Sequence, residues 1–218
     1  MTMGTKSVLY GAHCFFIHPW FVALGWYKLY GFRTRYIGLD AQCRPTYANL
    51  LWSFPLWVSF FVHDFGYIGK PNMDGEEGEQ HPKWGARLMG KLFGAPWEEF
   101  TLFHSRYFAK SAGQQPSKLC CADKMAIALT PSWLYLPMVR ATGEIREYMA
   151  HATYRHEENP HITARERAAL ISDNELDWHT GVREYCARWA VAHADGKTDT
   201  WTTDSRNRAT LGPDGVWK

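Results

Sequence analysis

Alternating apolar and polar residues, the pattern a half-buried strand needs, are scarce along this chain, which leaves a mostly helical reading. Long apolar runs are also missing. The most apolar stretch, residues 50–62, is interrupted by Ser53, Pro55 and Ser59 and is too short to span a membrane, so it is expected to be a buried helix. The opening segment has no apolar core followed by a small-residue cleavage site, which argues against a secretory signal. Only five cysteines are present, two of them adjacent at Cys120 and Cys121. Their spacing gives no disulfide framework, and their odd number leaves at least one thiol unpaired in a monomer, so a reducing cytoplasm is the expected compartment. Neither sign of charge dominates. With 24 basic against 22 acidic residues the net charge is +2, which argues against a general nucleic-acid-coating surface and for a small-molecule partner held by a local patch. No internal repeat or low-complexity tract is visible.

What the chain does have is apolar mass. Its 218 residues are 46% hydrophobic and 16% aromatic, enough for one substantial core. We read a single domain over residues 1–195 and an irregular tail over 196–218. Pro19 suits the first turn of a helix that Gly31 ends, placing His18 at its entrance. Residues 31–45, with Arg33, Arg35 and Arg44, form a connection, and a second helix is expected from about Thr46 into His63 and Asp64. Four glycines and Pro71 make residues 66–80 irregular, and Asp74, Glu76, Glu77 and Glu79 make them acidic, the expected active-site loop. His81 and Pro82 open a helix that stops at Gly94. Pro96 begins another, carrying His104 as far as Gly113, and Pro116 and Ser117 start the helix of Asp123. Thr163 and Glu166 have capping-box spacing, and a last helix covers residues 174–193.

The chemistry is concentrated in the histidines and two aspartates. The doublet of His63 and Asp64 is preceded by His18 and followed by His81, His104 and Asp123, a set with donors for two metal ions. Mixed imidazole nitrogen and carboxylate oxygen suits Mn, Fe, Co, Ni or Zn, whereas Mg and Ca prefer oxygen alone.

In order and local context this set resembles the HD-domain superfamily of metal-dependent phosphohydrolases, over roughly half the chain (18–125). His18 with Val22 and Ala23 looks like the family's first-helix histidine. Val62, His63, Asp64, Phe65 and Gly66 look like its name-giving doublet. His81 to Ala86, and Phe103 to Arg106, resemble the two added histidines of two-metal members, and Ala122, Asp123 and Lys124 its closing aspartate. The resemblance implies an all-α, HD-domain-like helical bundle with the metal site between helices. It implies one ion on His18, His63, Asp64 and Asp123 and a second on Asp64, His81 and His104. His13 lies five residues before His18 and competes with it as first ligand; the helix context favours His18. Many family members read HDxGK, but here Tyr67 stands where the lysine would be, and Lys70 is the nearest substitute.

The activity implied is hydrolysis of a phosphoester, of a nucleotide or another small phosphate ester, by a hydroxide that the two cations activate, with Asp64 shared between them. Arg106, Lys124 and Lys70 are candidates to hold phosphate oxygens. One of the loop carboxylates is a candidate proton donor, and Tyr67 or Trp84 a candidate stacking surface. His151, His156 and His161 form a further cluster that reads as a solvated helix end or loop. Two other functions share the motif set: a mixed-valent di-iron oxygenase of the same superfamily, and a nucleotide-binding regulatory module without turnover.

Overall fold

The computed structural model of the protein describes residues 1–31, 53–156 (backbone only over 152–156) and 159–201. The described residues form eleven α-helices and no strand. In chain order these are α1 (Met3–Tyr10), α2 (His18–Tyr30), α3 (Phe54–Val62), α4 (Pro82–Phe93), α5 (Ala95–Leu102), α6 (Arg106–Ser111), α7 (Lys118–Leu129), α8 (Ser132–Thr142), α9 (Glu144–His156), α10 (Ala164–Leu170) and α11 (Glu175–His193). None of them is long and apolar enough to cross a membrane. The expected all-α architecture is the one observed.

Helix α7 is the axis. Eight of its twelve residues are buried, because α2 covers one side of it and α11 the other. A helix that is apolar nearly all round has to sit inside. The α2 contact is unusually close: a Cβ on Gly25 would stand 2.5 Å from the carbonyl oxygen of Ala122, so only glycine admits this approach. One core, built on Val22, Trp26, Phe60 and Phe100, fills the space between α2, α3, α5 and α7. A second, built on Val139, Leu170, Trp178 and Trp189, fills the space between α7 and helices α8 to α11.

Local signals set most boundaries. Gly94 ends α4 at φ 92°, in the left-handed region. Thr163 and Glu166 form the reciprocal capping box ahead of α10, and the Asn174 side chain accepts from the amides of Leu176 and Asp177 at the start of α11. Two expected helices are corrected. Helix α3 begins at Phe54, since Ser53 is non-helical and Pro55 in the first turn cannot continue a helix from upstream; the expected start at Thr46 lies outside the described residues. The helix expected from Pro96 to Gly113 is two helices, broken at residues 103–105, where the Phe103 carbonyl accepts the Ser117 amide and is drawn toward the entry of α7. His104 therefore sits in a turn.

Past α11 the chain is irregular but still packed as far as residue 201. Buried Asp199 accepts from the Trp189 indole at 3.1 Å and from the Trp201 amide at 3.0 Å. The rest of the tail, and the polar connection with Arg33, Arg35 and Arg44, lie outside the described residues.

Candidate metal centre

The six residues singled out in the sequence meet. His18 opens α2, His63 and Asp64 follow the last turn of α3, His81 precedes Pro82 at the start of α4, His104 lies in the turn between α5 and α6, and Asp123 is in the middle of α7. All six are buried. They fall into two groups with donor atoms within 4.8 Å of one another: His18, His63, Asp64 and Asp123, and Asp64, His81 and His104.

Asp64 belongs to both groups through different oxygens. Its Oδ2 lies 3.0 Å from His63 Nε2 and 3.4 Å from His18 Nε2, while its Oδ1 lies 3.6 Å from His81 Nε2 and 3.5 Å from His104 Nε2. Asp123 Oδ1 closes the first group, 3.0 Å from His18 Nε2 and 3.9 Å from His63 Nε2. A carboxylate so placed can bridge two cations.

The imidazoles are held from behind. The Nδ1 atoms of His63, His81 and His104 lie 3.0, 2.8 and 2.5 Å from the carbonyl oxygens of Phe60, Gly78 and Thr101. An Nδ1–H that donates to a carbonyl fixes the ring and turns Nε2 toward the cluster, the outer support typical of metal-binding histidines. His81 and His104 then face each other with Nε2 atoms 3.1 Å apart.

The donor set fits cations. His18 Nε2, His63 Nε2 and Asp64 Oδ2 are buried and close together, yet none has a hydrogen-bond partner. Buried polar atoms without partners are costly, and a shared cation satisfies all three. Electrostatics points the same way. Burial would raise the Asp64 carboxyl, but His63, His13 and His104 hold it well below the usual carboxylate range. Burial would likewise raise Asp123, and Lys124 and His18 hold it down. Burial and the neighbouring His104 hold His81 well below the usual histidine range. Burial would lower His63, but Asp64 and Asp123 push it up to about 10, a sign of how strongly this pocket attracts positive charge.

His13 is in neither group. Its Nδ1 is 2.9 Å from Ser7 Oγ, which donates to Glu144 at 2.9 Å, and its ring packs against Tyr67 at 4.8 Å. His18, not His13, belongs to the group of donors that could hold an ion, and His13 lines the cavity.

That cavity, about 260 Å³, is lined by His18, Asp64, His81, His104 and Asp123 of the cluster. Lys124 and Arg106 line it too. Lys124 Nζ is 3.1 Å from Asp123 Oδ2, and the Arg106 guanidinium lies over the Trp189 ring at 5.4 Å. Asp74 and Glu79 reach the same wall from the acidic loop, whereas Glu76 is exposed and Glu77 accepts from the Asn72 amide at 2.6 Å. Tyr67 stacks on His81 with centroids 3.9 Å apart.

Lys70 and Trp84 do not reach the cluster. Both line a separate surface groove with Phe65, Lys83 and Arg87, because the chain turns outward after the short 3-10 turn at Phe65–Tyr67. Lys70 therefore lies on the surface groove and not on the cavity beside the cluster, whose Lys and Arg side chains, Arg106 and Lys124, come from α6 and α7. The cluster of His151, His156 and His161 does not form a group either, as far as it is described. His151 faces Asp74 at 3.7 Å, His161 stacks on Trp201, and the His156 side chain lies outside the described residues.

Sequence reading missed Glu147. Its Oε1 accepts the amides of Met73 and Asp74, both at 2.9 Å, and pins the acidic loop over the site from α9. A contact across more than seventy residues leaves no local signal. Comparison of this chain with known family models, with curated proteins and with solved structures gives no match.

Proposed function

We propose that this protein is a metal-dependent phosphohydrolase that cleaves a small phosphate ester. The observation that carries the reading is the sharing of Asp64 between two His-rich donor groups, on a cavity whose wall also bears Arg106 and Lys124. His18, His63 and Asp123 would hold one divalent cation, His81 and His104 a second, and Asp64 both. Bound there, the cations supply Lewis-acid polarisation of a phosphoryl oxygen and acidify coordinated water.

The chain's own side chains account for the rest. Arg106 presents a planar fork suited to two non-bridging phosphoryl oxygens, and its stacking on Trp189 limits its freedom before substrate arrives. Lys124 adds a point charge that its contact with Asp123 fixes. Asp74 and Glu79 line the same cavity, and one of them would return a proton to the leaving oxygen. Burial of the donors keeps bulk water from weakening these interactions.

A metal-by-substrate panel tests the reading. Orthophosphate release from a phosphate monoester with Mn, Co or Ni under anaerobic conditions is the expected outcome. Iron-dependent dioxygen uptake without phosphate release would replace it with the oxygenase, and nucleotide binding without turnover in any metal would replace it with the regulatory module.

A further inference from the structure

The cavity does not end at the metal cluster. It continues between α7 and α11, lined on the α7 side by Asp123 and Ile127, at i and i+4 on one helical face, and by Thr130, the residue that caps the helix. Across from them, α11 contributes Trp178, Val182 and Trp189. The two helices run antiparallel: Arg183 Nε donates to the Ala128 carbonyl at 2.8 Å, toward the far end, while Trp189 lies under Arg106 at the cluster end. From Asp123 to Thr130 the helical rise corresponds to about 10 Å. Ile127 and Val182 remain partly accessible although the elements carrying them pack together, because both face this space.

Charge is unevenly distributed along that length. Of the lining residues on α7 and α11, the charged pair Asp123 and Lys124 belongs to the cluster end, whereas Ile127, Val182 and Trp178 further along are uncharged, as are the hydroxyl-bearing Thr130 and Tyr185. Two cations match one phosphoryl group. A di- or triphosphate would bring more negative charge than Arg106 and Lys124, the Lys and Arg side chains on the lining, can offset.

We infer that the substrate is a monophosphate ester with an uncharged, apolar body, the phosphoryl group lying at the cluster beside Arg106 and Lys124 and the body extending between Ile127 and Val182. This specifies the substrate class of the proposed phosphohydrolase and rests on that reading for its head group. At about 260 Å³ the space is below the 300–1,000 Å³ usual for drug-sized ligands, which favours a compact alkyl or aryl body.

The test is binding, read by titration calorimetry on the Mn-loaded protein with methyl-, butyl-, hexyl- and octylphosphonic acid and with adenosine monophosphate. Each added methylene is expected to tighten binding roughly three- to fourfold until the chain fills the space, and hexylphosphonate to bind more tightly than the nucleotide. V182W should shorten the chain length at which affinity stops rising. Affinity independent of chain length, tighter binding of the nucleotide, or no binding of any phosphonate overturns the inference. The two readings fail separately: length-dependent binding with no orthophosphate from hexyl phosphate in any metal rejects hydrolysis and keeps the apolar chamber, while nucleotide hydrolysis with flat length dependence does the reverse.

Discussion

Asp64 carries more of the site than any other side chain, because its two oxygens face different pairs of imidazoles. Under the proposed function, Asp64→Ala is therefore expected to lose both metal ions and all phosphate release, while Asp123→Ala, which touches only the first group, should leave the second ion measurable by elemental analysis. In the proposed phosphohydrolase Arg106 would act through the geometry of its fork, so Arg106→Lys should not preserve activity. Charge-assisted hydrogen bonds contribute about 1.5–3 kcal/mol, and loss of turnover efficiency of at least tenfold in both Arg106→Ala and Arg106→Lys is expected from steady-state kinetics. A lysine variant with full efficiency would reduce Arg106 to a bulk charge.

At the scale of helices, positioning depends on close packing and on caps. Gly25→Ala gains helix propensity, yet its Cβ would meet the Ala122 carbonyl at 2.5 Å and push α2, with His18, away from α7 and Asp123. Lower thermal stability together with weaker metal binding is expected, whereas a surface Gly→Ala change in a helix would stabilise. His179, buried on α11, stacks on Tyr135 with centroids 4.3 Å apart and has its Nδ1 2.9 Å from Ser132 Oγ. Burial first, and Arg183 second, lower its pKa from 6.5 to about 4. The unfolded chain therefore takes up a proton near pH 6.5 that the folded protein refuses until about pH 4, so stability is lost as pH falls through that window, by up to about 3 kcal/mol. Urea titrations at pH 7 and pH 5 should show the loss, and His179→Phe should shrink it. An unchanged pH dependence in that variant would assign the effect elsewhere.

For the molecule as a whole, what was legible in the sequence was whatever had a local cause. Pro19, Gly94, Ser117, and Thr163 with Glu166 act within one turn of chain, and the helices they bound are where the sequence puts them. The donor set was legible through residue type and order, not through any local signal of proximity. Helix α8 was not foreseen, since Pro137 interrupts its pattern, and α9 was hidden by a polar sequence whose buried Glu144 accepts from Tyr148 one turn on and from the distant Ser7 hydroxyl and Ala12 amide. The misplacement of Lys70 has the same origin, because sequence nearness to the doublet says nothing of the outward turn after Tyr67. The cavity between α7 and α11 is likewise a product of tertiary packing alone.

Metal content decides the central claim most directly. Protein purified without chelator and analysed for Mn, Fe, Co, Ni and Zn should hold two ions per chain, falling to none in Asp64→Ala, with a melting temperature that drops on chelation in the native protein and does not respond in the variant. Native protein that binds no ion, or an Asp64→Ala variant that keeps both, would contradict the account.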